Sequence, residues 1–216
     1  MPVNGRPLIH YSLFLLKKYG FKEVLINLHY LGEMIEHALG DGKDWGLKIT
    51  YSWEPELLGT GGGIKKAESF FKGEDFLVLN SDILIDVDLK KVIDFHCQNQ
   101  AAATMVLRPL ESTSQDTPVF LNEKNNIVGI KDSPQNSVLL KKMGYTGVQI
   151  LSQKMLDYLP QQIESCIIKQ SYQPAITDNL SIFGFEYLGY WNDLGTLKRL
   201  HQAELDLKQT HLTFMQ

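Results

Sequence analysis

Short, strand-like apolar runs alternate with segments of helical periodicity through the first half of the chain, and that alternation leaves few folds open to it. Glu23–Leu28 (EVLINL) reads as a buried strand, Leu47–Trp53 (LKITYSW) as an alternating one, and Asp75–Asn80 (DFLVLN) as the most strongly buried of the set. A helix opened by Pro7 and closed by Gly20 precedes them. Helices at about 31–39, 64–71 and 88–98 follow in turn, and a further strand runs from Ala102 to Leu107. Such alternation implies right-handed crossovers and a parallel sheet covered on both faces. Sheets of this kind bind ligands at the carboxyl ends of their strands. The loops after Trp53 and Asn80 are therefore the places to look.

The second half changes character. Val119–Leu121 and Ile127–Lys131 flank the turn-rich Asn122-Glu123-Lys124-Asn125-Asn126, a hairpin signal. Lys142–Leu151 reads as a strand in which Gly144 and Gly147 allow close backbone approach. Helical segments are expected at 153–158 and 175–182, a strand at Glu186–Trp191, and a last amphipathic helix from Thr196 to Lys208, with a frayed tail from His211. No linker or repeat divides the chain. The expectation is one domain over 1–216, its character changing near residue 110.

Composition removes several function classes. With 216 residues the chain buries a substantial core without staples, and a net charge of −4 lacks the basic face that duplex nucleic acid demands. Cys97 and Cys166 have no metal-like spacing, as expected of idle thiols in a reducing cytoplasm. The apolar stretch Leu8–Leu16 is too short for a bilayer, and its lysines follow rather than precede it, so neither a membrane span nor a signal peptide is expected.

Three segments carry the chemistry. The run Glu54 to Gly63 places Gly59, Thr60, Gly61, Gly62 and Gly63 between strand and helix, where four glycines in five positions let a ligand approach exposed amides; a merely tight turn reads equally well. Asn80-Ser81-Asp82 ends the best buried strand, where a carboxylate is well placed to hold Mg²⁺; a turn or cap is the plainer reading, and Asp86 and Asp88 suit that role better. Asp193, in Trp191-Asn192-Asp193-Leu194-Gly195-Thr196, gains significance only if it meets Asp82. Lys65 and Lys66 are expected to face solvent, and the six histidines show no ligand spacing.

Taken together with Pro2-Val3-Asn4-Gly5-Arg6-Pro7-Leu8-Ile9, these segments match, in order and spacing, the nucleotidyltransferases that make NDP-sugars. The chain resembles most the short bacterial members, such as the N-acetylmuramate-1-phosphate uridylyltransferases and the mannose- and heptose-1-phosphate guanylyltransferases. The resemblance implies an α/β fold: a Rossmann-like, mostly parallel mixed sheet with helices on both faces, in one domain with a nucleotide-binding part at 1–110 and a sugar-binding part and terminal helix at 111–216. It implies transfer of NMP from an NTP (UTP, GTP or dTTP) to a sugar 1-phosphate, in the cytoplasm and toward cell-envelope polysaccharide, with homo-oligomers an open matter. Asp82 and Asp193 would hold Mg²⁺ as the catalytic pair, and Gly59–Gly63 with Asn80 would bind the nucleotide. The sugar would lie near Gly144, Gly147 and Asp132, where Ser133 stands in place of a lysine common in the family. Family members begin with a strand, buried on both faces, and a glycine-rich phosphate loop, roughly 20–25 residues that would precede Pro2. On that reading the first strand is lacking and residues 1–216 alone have little activity, the alternative being a non-catalytic nucleotide-sugar-binding or regulatory paralogue.

Overall fold

The computed structural model describes residues 2–110, 116–134, 139–161, 163–209 and 212–215. As far as residue 110 the chain forms β1 (Pro2–Val3), β2 (Arg6–Pro7), α1 (Leu8–Lys18), β3 (Glu23–Leu28), α2 (Gly32–Leu39), β4 (Lys48–Trp53), α3 (Gly59–Lys66), α4 (Glu68–Phe71), β5 (Phe76–Leu79), β6 (Ile83–Ile85), α5 (Leu89–Gln98) and β7 (Ala103–Pro109). Beyond it come β8 (Pro118–Leu121), β9 (Ile127–Ile130), β10 (Lys141–Leu151), α6 (Gln153–Leu156), α7 (Gln173–Thr177), β11 (Ile182–Glu186), β12 (Trp191–Asp193) and α8 (Leu197–Gln209). A π-helical turn at Ile168–Tyr172 leads into α7.

The architecture is α/β with a mixed sheet. Six strands run in the order β11-β7-β10-β8-β9, with β5 also paired to β10. β11 is parallel to β7, whereas β10 is antiparallel to β5, β7 and β8. The first crossover unit gives the parallel pair β3–β4, and β6 pairs antiparallel with β12. Strand alternation sorts side chains between two cores. Val106, Val148 and Ile150 enter a cluster with α1, α5 and α8, while Met105, Leu107 and Leu151 enter a second with α6 and α7. Helices therefore cover both faces.

Local chemistry explains most element ends. Asn4 and Gly5 both take positive φ, as a two-residue hairpin between β1 and β2 requires. Asp88 caps α5 through the Lys91 N–H, and the Thr196 hydroxyl accepts from the Arg199 N–H at the start of α8. His96 is buried between the Thr104 hydroxyl at 2.9 Å and the Asp75 carboxylate at 3.2 Å, a packing role.

Five expectations need correction. The glycine run is not a loop but the start of α3, and Ala67 separates α3 from α4. The helix expected up to residue 182 stops at Thr177, because Ile182 begins a strand. The single strand expected at Glu186–Trp191 is two: its ends belong to β11 and β12, in different sheets. Lys65 is buried rather than solvated, with its ammonium on Glu68 and the Leu156 carbonyl, whereas Lys66 is exposed as expected and donates to the Trp53 carbonyl. In the tail, Leu212 and Phe214 are buried in the first core, and the Thr213 N–H and hydroxyl donate to Asp86. Phe214→Ala is accordingly expected to cost about 3 kcal/mol and lower the thermal midpoint by roughly 5–10 °C. A melting curve within 2 °C of the parent would show the tail to be dispensable.

Candidate functional site

The β6–β12 ribbon brings the backbones of the two acids together. Asp193 lies opposite Ile83 in the register, and the Leu194 N–H donates to the Asp82 carbonyl at 2.8 Å. Ile83, Leu84, Ile85 and Leu194 are buried and anchor this ribbon in the core. Their neighbouring acids thus share one end of it. The Asp82 side chain is exposed. Asp193 accepts from the Gly195 N–H through Oδ1 at 2.7 Å and from Arg199 Nη1 through Oδ2 at 2.6 Å. A carboxylate offers about four acceptor positions, so both oxygens of Asp193 retain capacity. Among the described residues no cluster of three or more His, Cys, Asp or Glu is suited to a metal. Hard carboxylate oxygens from Asp82 and Asp193, completed by substrate phosphate and water, form a donor set that Mg²⁺ accepts.

The ribbon is tied to β10. The Asn80 N–H donates to the Gly147 carbonyl at 2.9 Å. Gly147 has φ +91°, and a Cβ there would come within 3.0 Å of the Asn80 side chain, so conformation and space both demand glycine. One residue earlier, the Thr146 carbonyl accepts from Trp191 Nε1 at 2.7 Å. Trp191 lies two residues before Asp193, on the same side of β12. The Arg108 guanidinium stacks over its ring at 4.1 Å from the centroid and pairs with Asp116. Gly144 lies opposite Arg108, where a Cβ would come within 3.1 Å of Leu110. Asn80, Gly147, Trp191 and the acids are therefore linked by a continuous set of contacts. Asp132 lies on the exposed turn after β9; among the described residues no hydrogen bond joins it to Asp82, Asp193, Gly144 or Gly147, but the Lys131 N–H before it donates to the carbonyl of Pro118, which pairs with Gly144.

The glycines of α3 are enforced by packing against the chain itself. A Cβ at Gly59 would come within 2.7 Å of the Ser165 carbonyl, one at Gly61 within 2.7 Å of the Ser165 hydroxyl, and one at Gly62 within 2.7 Å of the Ile163 carbonyl. On the opposite flank, a Cβ at Gly63 would come within 2.3 Å of Asn27 Nδ2 and 2.6 Å of Glu54 Oε1. The backbone at 163–165 thus runs along one side of the helix start. The Ser165 N–H donates to the Leu58 carbonyl, and the Gly61 N–H to the Ser165 carbonyl, both at 2.8 Å. Thr60 uses its hydroxyl to accept the Ile167 N–H. The Leu58 N–H donates to Glu54 Oε2 at 3.1 Å. Among the described residues, that leaves the Gly59 and Thr60 amides as the first-turn donors not engaged within the protein.

Three participants escape the motif reading. Arg199 lies in the first turn of α8, six residues after Asp193, and only the structure shows it as that acid's partner. Arg108 meets Trp191 from a distant strand. Glu54 has its partner, Asn27, on β3. The sequence signal for the last was a carboxylate at a strand end, which the glycines beside it overshadowed.

The chain matches the family described as Nucleotidyl transferase over residues 1–210. It is 34% identical over 214 residues to the N-acetylmuramate alpha-1-phosphate uridylyltransferase of Neisseria meningitidis serogroup B, spanning 94% of this chain and 86% of that protein. The UTP–glucose-1-phosphate uridylyltransferase of Synechocystis is 28% identical over 216 residues, and the mannose-1-phosphate guanylyltransferase of Mycobacterium tuberculosis 26% over 212. These matches take in 94% and 96% of this chain, which spans little more than half of either relative, 56% and 57%. Solved structures share the fold: a Bacillus anthracis protein titled a glucose-1-phosphate thymidylyltransferase, in complex with a sucrose, has TM-score 0.79 at 18% identity, covering 98% of this chain and 86% of its own. HddC from Yersinia pseudotuberculosis, complexed with GMP-PN, has 0.77 at 20%, covering 96% and 88%. The chain belongs to the nucleotidyl transferase family.

Proposed function

We propose that this chain is a single nucleotidyltransferase domain that transfers NMP from an NTP to a sugar 1-phosphate. A phosphate oxygen of the sugar 1-phosphate attacks the α-phosphorus in line, the α–β phosphoanhydride bond breaks, and pyrophosphate leaves. The observation that carries the reading is the Leu194-to-Asp82 hydrogen bond, which brings two carboxylates from distant segments to one end of a buried ribbon. Relatives named as sugar-1-phosphate uridylyl- and guanylyltransferases support it.

Asp82 and Asp193 would hold Mg²⁺, which when bound would neutralise charge on the reacting phosphates. Arg199, held 2.6 Å from Asp193, adds a cation beside them. The Gly59 and Thr60 amides take a neutral acceptor, a base carbonyl rather than phosphate, because the buried Glu54 carboxylate, hydrogen-bonded to the adjoining Leu58 N–H, opposes a further anion there. Asn80 and Gly147 line the passage between base and acids, and Gly144, Gly147 and Asp132 face the sugar. No helix of the described residues is long and apolar enough to cross a membrane, and we place the reaction in the cytoplasm.

Pyrophosphate release measured over a grid of UTP, GTP and dTTP against glucose, mannose and N-acetylmuramate 1-phosphates, with Mg²⁺, tests the assignment. One pairing is expected to stand well above the rest in a form extended upstream by the family's first strand and phosphate loop, with little release from residues 1–216 alone. Mg²⁺-dependent NTP binding with no release from any pairing favours a binding or regulatory paralogue. Absence of both overturns the reading.

A further inference from the structure

We propose that Glu54 is a positioning residue for the nucleotide, acting through the start of α3 and touching no substrate itself; this rests on the reading that the Gly59 and Thr60 amides face the base. Glu54 is 6% exposed, directly after β4. A carboxylate buried so far is tolerated only where donors satisfy it. Here Oε1 accepts from Asn27 Nδ2 at 2.7 Å and Oε2 from the Leu58 N–H at 3.1 Å. The main chain of Glu54 is fixed as well: its N–H donates to the Leu28 carbonyl at 2.8 Å, and its carbonyl meets His29 Nδ1 at 2.7 Å. One residue therefore joins the carboxyl ends of β3 and β4 to the first turn of the glycine helix.

The amides at issue lie between two clamps. Leu58 is held by Glu54 on one flank, and Gly61 by the Ser165 carbonyl on the other. Gly59 and Thr60, in between, inherit their direction from both. A carboxylate suits the first clamp because it is acceptor-only and both groups facing it are donors. Gly63 closes the arrangement by bringing its bare Cα against Asn27 and Glu54 together.

Titrating UTP and GTP, with Mg²⁺, into the chain and four variants tests this. Glu54→Ala is expected to weaken binding of the preferred NTP at least tenfold and to leave the affinity for glucose 1-phosphate within twofold. Glu54→Gln is expected to stay near the parent, because the Asn27 amide can turn its oxygen to the new NH₂ while the one remaining side-chain oxygen accepts from the Leu58 N–H. Asn27→Asp sets two carboxylates face to face and is expected to weaken NTP binding. Asn27→Asp with Glu54→Gln restores donor against acceptor and is expected to recover it to within threefold, a rescue that a general loss of packing would not give. If Glu54→Ala does not fold, the near-isosteric Gln and Asp variants decide. NTP affinity unchanged in folded Glu54→Ala, no rescue in the double variant, or glucose 1-phosphate affinity falling in step would each overturn the proposal. Failure of the unaltered chain to bind either NTP would overturn the functional reading and this proposal together, whereas binding that ignores Glu54 overturns this proposal alone.

Discussion

Asp82→Asn and Asp193→Asn are each expected to abolish Mg²⁺-dependent NTP binding and to lower transfer by roughly 10²–10³-fold, the several kcal/mol that a metal's charge stabilisation supplies. Neither change should unfold the protein. Asp82 has an exposed side chain, and substitutions at such positions usually stay within about 0.5 kcal/mol. Asparagine at position 193 keeps an oxygen for the Gly195 N–H and loses only the charge facing Arg199, a half-exposed pair worth less than about 1 kcal/mol. On the proposed reading the two acids act on one ion, so the double variant should be scarcely worse than either single one. A variant that keeps its parent's magnesium dependence would end the two-carboxylate site, and additive losses would mean that the acids work separately.

Gly62→Val is expected to destabilise the fold and abolish nucleotide binding, and Gly62→Ala to do the first in milder form. The sign of the alanine result is the informative part. In an open helix, Gly→Ala gains about 1 kcal/mol from propensity alone. Here the added methyl would sit 2.7 Å from the Ile163 carbonyl and 2.8 Å from Leu58 Cβ, and overpacking of that kind costs about 1–3 kcal/mol. The clash outweighs the propensity, so the thermal midpoint should fall. A rise would show that the chain at 163–165 stands off the helix and that the glycines answer to something else. Unchanged NTP affinity in a folded Gly62→Val protein would show that the helix start is only a packing element.

The sequence made the strand-to-helix rhythm legible because β3, β4 and β5 are apolar runs with punctuated ends. It also marked Asp82 and Asp193, since acids at strand ends precede glycine or turn residues. It could not show their meeting, which depends on β6, a three-residue strand too short to signal itself, pairing with β12 more than a hundred residues away. The glycine run misled because helix propensity there is poor; tertiary contact with the backbone at 163–165 makes α3 start at Gly59. Lys65 misled for a related reason. Its charged end reads as surface, yet Glu68, one turn on, and the Leu156 carbonyl, ninety-one residues away, receive it in the interior. The tail carried no periodic pattern, only Leu212 and Phe214 alternating about Thr213, too short a signal to separate from an idle end.

β10 runs the length of both halves. One edge follows β7, while the other passes from β8 at Lys141–Gly144 to β5 at Val148–Leu151. A molecule whose halves share a strand has no hinge between them: swinging one against the other would break ladder bonds within a single continuous backbone. Whatever closing accompanies substrate capture must then come from the connecting loops. The geometry around Asn80 and Gly147 is set when the sheet forms, and on the proposed reading binding has only small adjustments left to make.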